Sequence, residues 1–254
     1  MTATDVPARR WRSPFAAVVR YTLQSCLPPR RWVGVLLPCV GAVLFGLLAH
    51  AGSRSAEYDF ANVGAEGIFG LIAPIAALVI GDAVLGAEVR AGTFHFTWRS
   101  PVPIWQIVTG RWLAGSVVAL LTIAPASALA AFVAGAPGAA GAAFVAAGVG
   151  SVAYVAIFIA IGALTRRTAV WSLAVVFLVE RLLGAELTGI AQLSPMWESR
   201  AIFVSGLDEF PDRLVREGIP TGGAAVVRLL LVTAVALGLA VWRTGRMRLA
   251  GASD

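Results

Sequence analysis

Long apolar runs alternate with short polar stretches along the whole chain. Six runs approach the roughly 20 residues that an α-helix needs to cross a bilayer. They fall at 33–49, 67–87, 112–133, 142–164, 169–186 and 224–242. The pattern predicts an all-α membrane protein whose residues 1–254 form a single transmembrane domain of six transmembrane helices. Ahead of the first run, Phe15, Val18, Val19, Thr22, Cys26 and Leu27 recur at helical spacing, with Arg20, Gln24 and Ser25 on other faces. That stretch is too short to span. Within the arm 1–32 it is expected to lie flat as an amphipathic interfacial helix ended by Pro28-Pro29. Residues 1–13, with Arg9, Arg10 and Arg12, read as a disordered lead.

The polar stretches differ from one another. Residues 53–66 read as a loop with Glu57, Asp59 and Glu66. Pro125 sets a kink in the third run. A tight Gly/Ala/Pro turn covers 135–141. Small residues in the fourth run recur at four-residue steps (Ala142, Ala146, Gly150; Ala143, Ala147, Ser151), which suits close helix packing in lipid. Residues 187–223 are mixed and acidic, with Pro195, Pro211 and Pro220. They predict a partly re-entrant region with short helices near 190–193 and 198–205.

Composition agrees with the pattern. The chain is 58% hydrophobic and 13% charged, with a mean hydropathy of +0.81, too apolar for a soluble surface. The 20 basic residues are all arginine, which reads as GC-rich coding and a bacterial source. The high pI does not imply nucleic acid, because the charges punctuate apolar runs and do not gather on one face. Cys26 and Cys39 make no disulfide framework. No cleavable signal pattern precedes the first run. With both termini placed in the cytoplasm, 14 of the 20 arginines fall inside and ten of the 14 acids outside, as the positive-inside rule requires. Trp32, Trp112, Trp171 and Trp242 then sit at cytoplasmic ends of spans, where an apolar ring with a polar N–H is favoured.

The chain is not expected to be an enzyme. A phosphate-binding loop needs a lysine, and there is none. His50 and His95 stand alone, with no metal-ligand spacing. Charges at membrane depth are costly and usually face a bundle interior or a wet cavity. Asp82, Glu180 and Arg181 are therefore candidates for lining a translocation path. Asp82 has an alternative as a headgroup-level residue near Glu88. Glu180 and Arg181 have alternatives as a mutual ion pair or as the early end of span 5, about 11 residues and roughly 16 Å into it.

The most informative stretch is 88–111: Glu88-Val-Arg90-Ala-Gly92-Thr93-Phe-His95-Phe-Thr-Trp98-Arg99-Ser-Pro101-Val-Pro103, running on to Gly110-Arg111. Gly92 predicts a helix stop. A short helical piece follows, then a break at Pro101–Pro103 and a fresh helix from about Ile104. The order acid, Gly-Thr, basic patch, Pro-Val and Gly-Arg resembles the permeases of ABC-2-type transporters. It departs from that family's pattern in having Pro103 at an often basic position and Arg111 in place of Lys. The resemblance implies an exporter permease subunit for an amphipathic drug, antibiotic, peptide or lipid, in a bacterial cytoplasmic membrane. It implies as partners a second permease, identical or homologous, and two copies of a cytoplasmic ATPase. ATP and Mg would be held by that ATPase, with no cofactor on this chain. The stretch would be its coupling helix, contacting the ATPase through Glu88, Arg90, Gly92, Thr93, His95, Trp98 and Arg99. The alternatives are a solvated loop at this place and, for the whole chain, a non-transporting scaffold or a secondary transporter.

Overall fold

The computed structural model describes residues 13–26, 32–52, 54–165 and 167–246. Among them no strand occurs. The Arg-rich lead, Pro28-Pro29, Arg30-Arg31, Arg166 and Arg248 lie outside the described residues, as do the side chains of Trp32 and Trp98.

The chain order is α1 (Pro14–Cys26) and α2 (Trp32–His50), then α3 (Ala56–Ala91) and the short α4 (Phe94–Trp98). It continues with α5 (Ile104–Val133), α6 (Ala140–Leu164), α7 (Thr168–Glu186), α8 (Thr188–Ala191), α9 (Pro195–Val204) and α10 (Gly223–Gly245). Five helices are long and apolar enough to cross a membrane: α3, α5, α6 with the turn before it, α7 and α10. The 19-residue α2 coincides with the expected first span, though only Cys39–His50 is fully described in it.

Several boundaries differ from expectation. The loop at 53–66 is helical from Ala56 onward. Ser55 caps it by accepting the Tyr58 N–H at 3.3 Å, and Glu57 and Asp59 occupy the first turn, where the helix dipole favours acids. The helix expected as the second span is thus 36 residues long, about 54 Å at 1.5 Å per residue, longer than a hydrocarbon core of about 30 Å. The third helix begins at Ile104, so the polar connector is 92–103 and shorter than 88–111. Pro125 lies inside that helix.

Glu180 and Arg181 do not end the helix expected as the fifth span, which runs on to Glu186. Residues Ala65–Ile72, Asp82–Gly86 and Val175–Leu183 are π-helical, widened turns that tertiary contacts impose and that accumulate at functional places.

The helix α6 is the central column. Ala143, Ala147, Ser151, Val155, Phe158 and Ile159 are all fully buried in it, flanked by α3, α5, α9 and α10. Its small residues let neighbours approach: a side chain at Gly150 would strike Ser199 of α9. A Cβ at Gly206, just past α9, would meet Ala142 at 2.8 Å. The helix α9 therefore runs antiparallel to α6 and reaches its middle. The expected short helices of 187–223 are present as α8 and α9, starting two and three residues earlier than expected. Trp112, expected at an interface, packs partly into the bundle. It is half-buried and donates from Nε1 to the Val152 carbonyl at 3.2 Å. Trp171 and Trp242 are exposed, as expected of interfacial rings.

Candidate functional site

The connector is built from a helix stop outward. Gly92 takes the left-handed conformation at φ 70°, which its missing Cβ permits. The Gly92 N–H then bonds to Val89 O at 3.3 Å and the Thr93 N–H to Glu88 O at 3.1 Å, the paired bonds of a Schellman motif. This fixes Glu88 four residues before Gly92, on the last turn of α3. Its carboxylate meets Arg111 of α5, whose Nη2 donates to Glu88 Oε2 at 2.7 Å.

Arg111 is only 1% exposed. Its Nη1 donates to Val84 O at 2.6 Å, inside the π-helical turn, and its Nη2 also faces Thr97 Oγ1 at 3.4 Å. The buried Phe94 ring lies 5.5 Å from the guanidinium centre. One buried arginine thus ties α3, α4 and α5 together. Tyr21 of α1 also faces Glu88, and the carboxylate's charge is the first cause holding the phenol above its usual range.

The predicted contact residues separate into two groups. Glu88 belongs to the staple, on Arg111, which was not among the predicted contacts. Arg90, Gly92, Thr93 and Arg99 are exposed. Arg90 pairs with Asp82, and the space for that pair exists because Gly86 between them has no side chain. His95 bonds from Nδ1 to Gly92 O at 2.7 Å, and its ring lies tilted against Phe96, centroids 3.8 Å apart. Phe96 was not singled out from the sequence. It is 71% exposed, and its place between two partly polar residues gives it no core-facing period.

The second constellation lies at the other end of α3. Glu66 accepts from Arg200 Nη2 at 3.0 Å and Arg181 Nη2 at 3.4 Å. Arg200 is buried and also donates from Nε to Ala65 O at 2.9 Å. Glu180 is buried and points away from Arg181. It accepts from Tyr154 Oη at 2.5 Å and from Ser194 Oγ at 3.0 Å. Ser194 is also the N-cap of α9, accepting the Trp197 N–H. The Trp197 indole donates to Glu180 O at 3.3 Å. Glu180 therefore holds the buried tip of α9 against α6 and α7. The adjacent residues 180 and 181 do not form the mutual pair considered from sequence; each is bonded to a different helix. Asp82 belongs to the connector end. None of the three path candidates touches another.

Among the described residues no group of three metal-ligating side chains occurs. No protein-family model matches the chain, and no curated protein matches it.

Proposed function

We propose that the chain is the permease subunit of an ATP-driven exporter of the ABC-2 type, with six spans, both termini in the cytoplasm, and a second permease completing the path. The observation that supports this most is the connector. It is a short ordered helix with Phe96, Arg90, Thr93 and Arg99 exposed, rigidly fastened to two spans through Arg111. An exposed aromatic beside charged residues is the composition of a docking point. A buried ion pair behind it transmits displacement, because packed and bonded elements move as units. Closure of a cytoplasmic ATPase pair on ATP and Mg would push α4, and α3 would carry the push to Glu66 and α9.

In this reading Arg181, 39% exposed, and Glu66 beside it face the path. Glu180 supports them from behind by holding α9. The substrate is an amphipath, and the membrane is a bacterial cytoplasmic one. The secondary-transporter alternative would use Glu180 as an ion-coupling acid. Its two oxygens already accept from Tyr154 and Ser194, which favours a structural role. The test is co-purification from native membranes in gentle detergent, comparing the wild-type chain with Phe96→Asp. Recovery of a P-loop ATPase with the wild type and its loss with the variant is expected. Recovery without any P-loop protein sinks the proposal.

A further inference from the structure

A groove of about 610 Å³ opens along the flank of the bundle between α6, α7, α8 and α10. The volume is that of a small-molecule site. Its walls are aliphatic, including Ile157, Ile161, Val175, Val232 and Leu239. Its polar lining residues are Arg228 and Gln192. From Arg228 to Leu239 the groove follows α10 for about 16 Å.

Arg228 is the one ionisable residue of α10 before Arg243. A guanidinium in an apolar helix is costly and marks a site by default. Its single hydrogen bond among the described residues runs from Nη1 to Glu198 Oε1 at 3.5 Å, the limit of such a contact. Glu198 is fully buried, so the pair is anchored on one side and open on the other: Arg228 keeps 37% of its side chain exposed. Five N–H donors in a planar fork suit a phosphate or carboxylate. Arg228 sits in the second turn of α10, near one end of that helix, where a lipid phosphate can supply the acceptors that Glu198 leaves open. The Gln192 amide nitrogen is used, donating to Gly218 O at 2.8 Å, which leaves its carbonyl for the groove mouth.

We propose that this groove binds a lipid with an anionic phosphate headgroup, the phosphate on Arg228 and an acyl chain laid along α10 toward Leu239. The charge at one end and the aliphatic walls beyond it match that one ligand shape. The site shares no residue with the connector or with the Glu66 constellation, and it stands whether or not an ATPase binds.

The test is native mass spectrometry of the full chain released from detergent, titrated with dioleoyl phosphatidylglycerol, with dioleoylglycerol, which lacks the phosphate, or with inorganic phosphate. The wild type is expected to retain phosphatidylglycerol about tenfold more tightly than dioleoylglycerol, the equivalent of one charge-assisted pair. Inorganic phosphate should not displace it. Arg228→Gln removes the preference. Because that change strands Glu198, the double variant Arg228→Gln/Glu198→Gln is measured beside it. Val235→Trp fills the groove and should weaken both lipids alike. Unchanged phosphatidylglycerol retention in the double variant and in Val235→Trp overturns the site. Displacement by inorganic phosphate alone overturns the lipid as its occupant.

Discussion

Glu66 and Glu88 sit on the same helix, 22 residues and about 33 Å apart, close to the thickness of a hydrocarbon core. Each meets a buried arginine from a different helix, and each arginine also bonds a carbonyl in a π-helical turn of α3. Arg111 takes Val84 O and Glu88; Arg200 takes Ala65 O and Glu66. Their surroundings differ. Glu88 has 16% of its side chain exposed and a single arginine partner among the described residues. Glu66 has 43% exposed and shares itself between Arg200 and Arg181. The first arrangement has one geometry and acts as a fastening. The second has a surplus cation and a wet carboxylate, so its partners can exchange. In the proposed reading, a closed joint at one end and a two-cation joint at the other let a single helix connect a driven point to a responsive one.

The comparison breaks most readily at the rigid end. Arg111→Met leaves Glu88 facing a protein interior without its cation. Removing one partner of a buried pair costs about 3–5 kcal/mol. The measurement is denaturant unfolding in detergent, and a loss below about 1 kcal/mol would show that the staple is not closed. Glu88→Gln/Arg111→Met should recover much of that loss, since replacing both charges is often neutral.

The tip of α9 comes next. Tyr154→Phe removes one buried hydrogen bond and leaves a Glu180 oxygen without its partner, about 1–3 kcal/mol. Glu180→Ala costs at least as much, because Tyr154 and Ser194 both lose their acceptor inside the bundle. Hydrogen exchange over α9 should rise in both variants while exchange over α4 stays unchanged. A parallel rise at α4 would mean that the two ends are not independent joints.

At the open end, Arg181→Gln is expected to change stability by less than about 1 kcal/mol, as partly exposed pairs do. Arg200, buried on the same carboxylate, should cost several times more when replaced by Met. Equal costs would place Glu66 in a single closed pair and remove the contrast with Glu88.

These expectations divide along what a sequence can carry. The glycine stop at 92, the short helix after it and the restart at Ile104 were all legible, because Gly92 and Pro101–Pro103 act on their own backbone. The spans α5, α6 and α10 were legible from run length. The start of α3 was missed because Glu57 and Asp59 were read as loop polarity. The capping signal Ser55 with acids in the next turn was present and would have found it. The pairing of Arg111 with Glu88 spans 23 positions and that of Arg200 with Glu66 many more, and no periodicity encodes such contacts. The π-helical turns are likewise invisible, since packing against neighbours creates them. Arg228 was counted only as an outside charge, because its meaning depends on a groove made by three other helices.

The smallest stability effect carries the largest functional one. Phe96→Asp and Arg99→Glu change exposed side chains on α4 and at its C-cap, away from the Arg111 staple, so unfolding should shift by no more than about 0.5 kcal/mol. Glu88 reversal cannot serve this purpose, since it would tear the staple and confuse loss of docking with loss of structure. If α4 is the driven point, both variants insert and fold normally yet fail to retain the ATPase in a pull-down. Arg90→Glu should weaken retention less, because Arg90 already spends its charge on Asp82. Full retention in Phe96→Asp and Arg99→Glu would move the docking surface off α4 and leave the Arg111 staple as a purely structural joint.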